Sequence, residues 1–486
     1  MNKIKIPQYV LFGLNSLKKN GFKGFLVGGC VRDYMLNKEP KDWDITTNAK
    51  PDEIKEVFKK EHLKTLYEND FGTVSVFIED NVLEITTYRV EGSYINRRHP
   101  DKVKWTEKIE DDLKRRDFTI NAMALDVLNG TNLIDLFHGE KDLKARVIRT
   151  VSDPDKRFNE DALRMIRAIR FACVLDFTIS KETYESIKKN KELIKEISNE
   201  RIRDEFVKII MSNHAKQGIL LLKETGLLKY IIPELELGYS CAQNKHHIYD
   251  VFTHNLESLA YAVKRNFNLH VRLSALLHDV GKPITKRGEG DHATFYNHEL
   301  VGANMTLKIL KRLKFAKKDI DKVVNLVKYH LFYYNVDEVT ESSVRRLVKN
   351  VGLENMNDLL ELRMCDRIGS GCPKAEPYKL RHLRYLIEKV SKDPISVKML
   401  KVDGKDIMEN LEMKPSKKVG QILDILLAKV LEDPKRNEAE YLMKEVKELG
   451  KLEDSQIEEK AKKAKTEIKT IILKKDKMTK EKYWLT

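Results

Sequence analysis

The apolar pattern of this chain changes period near Asn159, and that change sets the fold class. Before it, apolar residues come in short β-type runs: Phe25-Leu26-Val27 stops at Gly28-Gly29, and Asp42-Trp43-Asp44-Ile45 follows. Pro51 to about Lys60 is helical. Gly72 to Ile78 and Val82 to Tyr88 alternate and are rich in β-branched residues, with Glu79-Asp80-Asn81 between them, which predicts a hairpin. Beyond Asn159, Leu163, Ile166, Ile169 and Ala172 recur at three and four, the spacing of an amphipathic helix, and nearly everything downstream keeps that period. The expected fold is an α+β head with a mixed sheet and helices, followed by an all-α region.

At 486 residues the chain has room for roughly three domains of ~150 each. Expected boundaries are a head over 1–150, a helical body over 151–235, a histidine-bearing helical region over 236–393, a further helical region over 394–450 and a Lys-rich extension over 451–486. Ninety Lys and Arg against 75 Asp and Glu leave a net charge of +15, which favours a polyanionic partner. No apolar run approaches the ~18–20 residues that span a bilayer, and the segment Met1 to Pro7 lacks the apolar stretch of a signal peptide. The five cysteines, Cys30, Cys173, Cys241, Cys365 and Cys372, are scattered with no CxxC pair. Reduced thiols and a cytoplasmic location are expected.

The head carries four groups of chemistry-bearing residues. Gly28 and Gly29 let backbone approach a ligand closely where a strand gives way to a helix, and Arg32 adds a cationic fork. Asp42 and Asp44 flank Trp43; on a strand both carboxylates face one side and repel unless a cation holds them. A Gly-Gly turn followed by Asp-x-Asp suits two-metal nucleotidyl transfer, with Glu84 on the neighbouring strand as a third carboxylate. Arg115 and Arg116 suit a triphosphate, while Asp117 and Asn121 suit a turn or a ribose. Asp161 and Arg164, three apart, share a helix face: the carboxylate accepts from an exocyclic amine and the guanidinium donates to the ring acceptor beside it, a pair that takes C and A and mismatches G and U. Each signal also has a plain structural reading: an ordinary α/β turn, a solvated acidic edge, or a surface ion pair behind an N-cap at Asn159.

Taken together, in this order, they resemble the class II tRNA nucleotidyltransferases, the CCA-adding enzymes, which share a polymerase-β-like head with bacterial poly(A) polymerases. The resemblance runs from about Gly24 to Lys208. It rests on Val27-Gly28-Gly29-Cys30-Val31-Arg32-Asp33, Asp42-Trp43-Asp44, Arg115-Arg116-Asp117-Phe118-Thr119-Ile120-Asn121-Ala122, Asp135 to Leu143, Glu160-Asp161-Ala162-Leu163-Arg164 and Glu200 to Glu205. It implies that Asp42 and Asp44 are catalytic and bind Mg²⁺, that Gly28, Gly29 and Arg32 cradle the triphosphate, and that Arg115, Arg116 and Asp117, with Asn121, contact ribose and phosphate. It further implies that Asp161 and Arg164, with Arg167 beside them, read CTP and ATP, and that Glu200 to Glu205 supports that helix structurally. The polar segment Tyr88 to Pro100 resembles the loop that family members adding only CC lack, so full CCA addition to tRNA is expected.

His254, His278-Asp279, His298, His330 and Asp366 follow in the order of a divalent-metal set. From about Lys245 to Ser370 the chain resembles the HD superfamily of metal-dependent phosphohydrolases. There His254, His278, Asp279 and Asp366 would hold one divalent metal of unknown identity, and His298 and His330 a second. Phosphomonoester or 2′,3′-cyclic phosphate hydrolysis at RNA ends is the implied activity; a degenerate helical module is the plain alternative. His246, His247, His270 and His292 fit no pattern. Pro415 to Leu423 resembles the family's tail, which grips the tRNA elbow, and presents Lys417 and Lys418 at a helix start. The stretch from Lys460 to Lys482 reads as a solvated helix or a loose basic tail. The alternatives carried forward are a poly(A) polymerase, an enzyme adding only CC or only A, an HD phosphohydrolase with an RNA-binding head, and a non-enzymatic RNA-binding protein.

Overall fold

The structure is a computed structural model and describes residues 4–67, 72–92, 94–95, 99–100, 103–244, 248–336, 338–391 and 397–485. Of the segment Tyr88 to Pro100, Ser93 and 96–98 lie outside the described residues, as do His246 and His247. The chain divides into two units, Met1–His330 with Glu361–Pro373, and Leu331–Leu360 with Lys374–Thr486.

The first unit begins with a seven-stranded mixed sheet. Its strands are β1 (Gly24–Val27), β2 (Asp44–Thr47), β3 (Thr65–Tyr67), β4 (Thr73–Ile78), β5 (Asn81–Thr87), β6 (Met123–Asp126) and β7 (Asn132–Asp135), in the order β7-β6-β1-β2-β5-β4-β3. Every pairing is antiparallel except β2 with β5, which is parallel and sets Asp44 beside Glu84 and Ile45 beside Ile85. The alternation decides the two faces. Leu26, Ile45, Leu83 and Ile85 are fully buried and join Val10, Leu14, Leu17, Ile54, Val57 and Phe58 from the helices Gln8–Lys19 and Pro51–Lys60 in one core. Asp44, Thr46, Glu84 and Thr86 occupy the other face.

The hairpin β4–β5 turns at Glu79, which takes a left-handed φ of 53°. After β7, the last strand of the sheet, come the helices Gly139–Ala145, Pro154–Glu160 and Leu163–Leu175. Pro154–Glu160 is capped by Asp153, so Asn159 lies inside that helix rather than at its start. Ile166, Ile169 and Phe206, the last from the helix Asn199–Met211, extend the core into a helical body that reaches Val327. All five cysteines are free thiols.

The second unit is helical. Asp403 caps Gly404–Asn410, and Ser416 precedes Lys417–Glu432. The Lys-rich end is an ordered 29-residue helix, Asp454–Lys482. Ile457, Ala461 and Ala464 form a buried stripe along it, continued by Ile468 and Ile471, and this stripe packs with Ile422, Leu426 and Val430. Spacing of four and three makes the stripe, but alanine adds so little hydrophobicity that the segment reads as solvated from its sequence. No helix of the described residues is long and apolar enough to cross a membrane.

Candidate functional site

Just ahead of β2, Trp43 is the anchor. Its indole is buried in the core while Asp42 stands exposed just ahead of β2 and Asp44 begins that strand. Strand register then sets Glu84 next to Asp44. Asp42 lies in a bend before the strand rather than on it, which differs from the sequence expectation because pairing with β1 and β5 starts at Ile45 and Asp44. Burial raises the Asp44 carboxyl above its ordinary pKa; Arg116 opposes that and the like charge of Asp42 adds to it. A carboxylate pushed up by desolvation beside a like charge is a donor suited to a divalent cation.

Asp44 and Glu84 line a cavity of about 220 Å³ with Val27, Thr73, Thr86, Arg89, Arg115 and Arg116. The two neighbouring arginines are held from behind by Asp112, a fully buried carboxylate that the sequence reading missed. Asp112 pairs with Arg115 at 2.9 Å and with Arg116 at 3.2 Å, and accepts from the Thr46 hydroxyl at 3.5 Å. Burial works against its charge, yet the two arginines outweigh it and lower its pKa. The signal was present, since Asp112 stands three and four residues before its partners. Gly28 has φ of 77°, and a Cβ there would lie 2.9 Å from an Arg116 Nη. The left-handed φ calls for glycine.

A relay of polar contacts links Arg32 to the helix Leu163–Leu175. Arg32 donates to Asn121 Oδ1 at 2.9 Å, Asn121 donates to Asp117 at 3.4 Å, and Arg167 donates to Asp117 Oδ2 at 2.5 and 2.9 Å. Burial disfavours the Asp117 charge, but Arg167 dominates and pushes the carboxyl down to about 2.

Asp161 and Arg164 do not share a helix face. Asp161 is extended, in the break between two helices, where it accepts from the Leu163 N–H at 3.0 Å and pairs with Arg201 at 2.7 Å. Arg164 is buried in the first turn of the second helix. It pairs with Glu160 at 2.6 Å and donates to the Arg157 and Arg115 carbonyls at 3.1 and 3.2 Å. The helix breaks because the Asp161 side chain takes the capping role at the next helix start. Within the segment Glu200 to Glu205, Arg201 braces Asp161 and Glu205 pairs with Arg170 at 2.7 Å.

A second cluster lies in the helical body. His254 comes from the helix Val251–Lys264, His278 and Asp279 end Leu269–Leu277, His298 begins His298–Arg312, His330 ends Lys317–Tyr329 and Asp366 lies on Met356–Gly369. All six side chains are buried. The Nδ1 atoms of His278, His298 and His330 face the carbonyls of Ala275, Phe295 and Val327 at 2.9, 2.7 and 2.6 Å. An Nδ1–H given to a carbonyl leaves the Nε2 lone pair for the interior. Asp279 Oδ1 is 3.4 and 3.6 Å from His298 and His330 Nε2, and its Oδ2 is 3.2 and 3.5 Å from His254 and His278 Nε2. Asp366 Oδ1 lies 3.4 and 3.7 Å from the same two nitrogens.

His254, His278 and Asp366 form one compact ligand group, and His278, Asp279 and His330 another. Burial opposes a charge on His254, but Asp279 and Asp366 push it up to about 9, whereas burial lowers His278. Imidazole and carboxylate atoms converging in a closed interior fit divalent metal. His270 instead pairs with Asp319 at 2.8 Å. In the second unit Lys417 is exposed, while Lys418 donates to the Leu452 carbonyl at 3.0 Å and pairs with Asp454 at 2.9 Å, stapling two helices.

A mixed sheet with carboxylates on adjacent strands, arginines over one cavity and a Gly-Gly turn beside them defines a nucleotidyltransferase-type head. The comparisons with known proteins agree. Residues 24–149 match the Poly A polymerase head domain, 176–237 the probable RNA and SrmB-binding site of polymerase A, and 293–446 the putative tRNA nucleotidyltransferase domain 2. The CCA-adding enzyme of Ligilactobacillus salivarius is 33% identical over 437 residues, covering 90% of this chain and 95% of its own. That of Lactobacillus helveticus is 48% identical over 214 residues, 44% of this chain and 52% of its own, so here the match spans about half the relative's length. The Bacillus stearothermophilus CCA-adding enzyme solved with CTP is 27% identical with a TM-score of 0.58, covering 92% of this chain and 98% of that one. The Thermotoga maritima CCA-adding enzyme complexed with tRNA shares the fold, with a TM-score of 0.51 at 20% identity over 92% of this chain and 96% of its own. This chain belongs to the CCA-adding enzyme family.

Proposed function

We propose that the chain builds or repairs the CCA 3′ end of tRNA from CTP and ATP, without a nucleic-acid template, in the cytoplasm. The observation that carries this is the joint placement of Asp44, Glu84, Arg115 and Arg116 around one cavity. Asp42 and Asp44, with Glu84 beside them, hold Mg²⁺; when bound, the metal supplies Lewis-acid activation of the tRNA 3′-hydroxyl and neutralises the pyrophosphate. Arg115 and Arg116, kept in place by Asp112, take the triphosphate over the open Gly28-Gly29 turn, with Arg32 at its side. Asp117 and Asn121 set the ribose side through the relay to Arg167. Arg201 and Glu160 hold Asp161 and Arg164 apart as two separate groups, one accepting and one donating, for a base edge that offers the complement, as C and A do. Lys417 offers an exposed cation to RNA backbone.

The test is to incubate the protein with tRNA ending at the discriminator base, a divalent metal, CTP and ATP, and to sequence the 3′ ends. CCA is expected, and Asp44→Ala abolishes it. A run of A, or CC alone, would replace this reading with a poly(A) polymerase or a CC-adding enzyme.

The buried six-residue cluster favours a second activity on the same chain, a metal-dependent phosphohydrolase acting on RNA ends. Its test is phosphate release from 3′-phosphorylated or 2′,3′-cyclic RNA, expected to be lost in His278→Ala and kept in Asp44→Ala. Release that follows Asp44 instead would reject it.

A further inference from the structure

The Lys-rich helix Asp454–Lys482 lies beyond the matched tRNA nucleotidyltransferase domain, which ends at residue 446. It carries ten lysines against six acidic residues. Its far end is pinned to the helix Tyr378–Ser391 of the same unit. Lys482 pairs with Glu388 at 2.6 Å, the Tyr483 hydroxyl donates to Glu388 at 2.7 Å, and the Tyr385 hydroxyl donates to Asp476. Those contacts engage the neighbouring carboxylates and leave Trp484 in the open. It is 73% exposed, and among the described residues no ring or cation lies against its indole. Arg381 Nη1 donates to the Trp484 carbonyl at 3.3 Å, and the same guanidinium stands over the Tyr378 ring, 6.0 Å from its centroid. Tyr378 is 46% exposed and pairs with His382, the ring centroids 6.0 Å apart and the planes 30° from parallel. Arg381 forms no ion pair among the described residues, and its buried Nε has no hydrogen-bond partner there. A guanidinium without a carboxylate calls for an anion, and the two exposed rings beside it offer flat apolar faces. A nucleotide with an unpaired base answers both, with its π-face on an aromatic ring and its phosphate on the arginine. An acidic peptide would meet Arg381 but leave the ring faces to water.

We infer that Trp484 and Tyr378, joined by Arg381, form a platform on which unpaired bases of RNA stack, with Arg381 on an adjacent phosphate. The lysines of the helix add sequence-independent attraction for the backbone. Such a site needs RNA only, and does not depend on which nucleotides the head adds.

The experiment uses the full chain and two fluorescently labelled probes, a single-stranded RNA of about 12 nucleotides and a blunt RNA duplex, with anisotropy read over a series of salt concentrations. Trp484→Ala is expected to weaken single-strand binding about fivefold or more, with the slope of log affinity against log salt and the urea midpoint unchanged. Trp484→Phe, which keeps a flat ring, is expected to stay within about twofold of wild type. Arg381→Gln is expected to weaken binding and to flatten the salt slope by about 0.7, the share of one phosphate contact on a single strand. Duplex binding is expected to be equal in wild type and Trp484→Ala, because paired bases present no free face. Single-strand affinity of Trp484→Ala within twofold of wild type overturns the inference. So does an equal loss on the duplex, a loss that follows a fallen urea midpoint, or a wild type that does not bind the single strand. If the expected pattern holds in a protein that adds no nucleotides to tRNA, the platform stands and the function proposed for the head falls.

Discussion

Asp112→Asn isolates the support behind the cavity from the cavity's own walls. The wild-type carboxylate is fully buried and meets two guanidiniums whose side chains are 16% and 19% exposed. Asparagine keeps the shape and one accepting oxygen but turns the other oxygen into a donor facing an arginine. Charge-assisted hydrogen bonds are worth about 1.5–3 kcal/mol each, and loss of a partner from a buried pair about 3–5 kcal/mol. Partial exposure of the arginines and the retained acceptor reduce this to about 2–3 kcal/mol, or roughly 30- to 160-fold in an equilibrium. Because the arginines lose their fixed direction, KM for CTP should rise more than kcat falls, measured by steady-state incorporation into tRNA with urea unfolding in parallel. The sign with pH follows from the lowered folded-state pKa. The stabilisation is complete above the unfolded carboxylate value near pH 4 and is lost as pH falls through the folded value, so the gap between variant and wild type should narrow in acid. A variant within threefold of wild type in kcat/KM and within ~0.5 kcal/mol in stability would refute the reasoning.

Gly28→Ala places a Cβ 2.9 Å from the Arg116 guanidinium at a left-handed φ; a cost of about 1–2 kcal/mol and a larger loss in CTP affinity are expected from melting and KM measurements. Arg201→Met removes the 2.7 Å brace on Asp161. Misincorporation of UTP and GTP should rise about tenfold relative to CTP, and unchanged base choice in a competition assay would show that the brace does not matter. Ala461→Asp puts a carboxylate into the stripe of the Lys-rich helix at a 3% exposed position; about 2–3 kcal/mol of lost stability in the second unit is expected, read by hydrogen exchange along Asp454–Lys482.

Much of the head was legible because its signals are local. The hairpin at Glu79 and the helix from Pro51 depend on neighbouring residues. So does the Gly-Gly turn. The body's histidines were legible as an ordered set, though their order says nothing of distance. The reading of Asp161 failed for a local reason as well: spacing of three implies a shared face only if the helix is unbroken, and an aspartate that can cap the next helix competes with that. The alanine stripe of the last helix was missed because small apolar residues signal burial weakly until a partner surface is known.

By itself the sequence determined the division into α+β head and helical remainder, through the period of its apolar residues, and named the carboxylates, arginines and histidines that are candidates for the chemistry. Tertiary structure alone decided which of them meet. Glu84 stands beside Asp44 because two strands pair in parallel across a crossover. The six side chains of the second cluster converge from five separate helices. Such meetings depend on long-range packing, in which residues far apart in the chain share one buried volume, and no periodicity within a single segment encodes them.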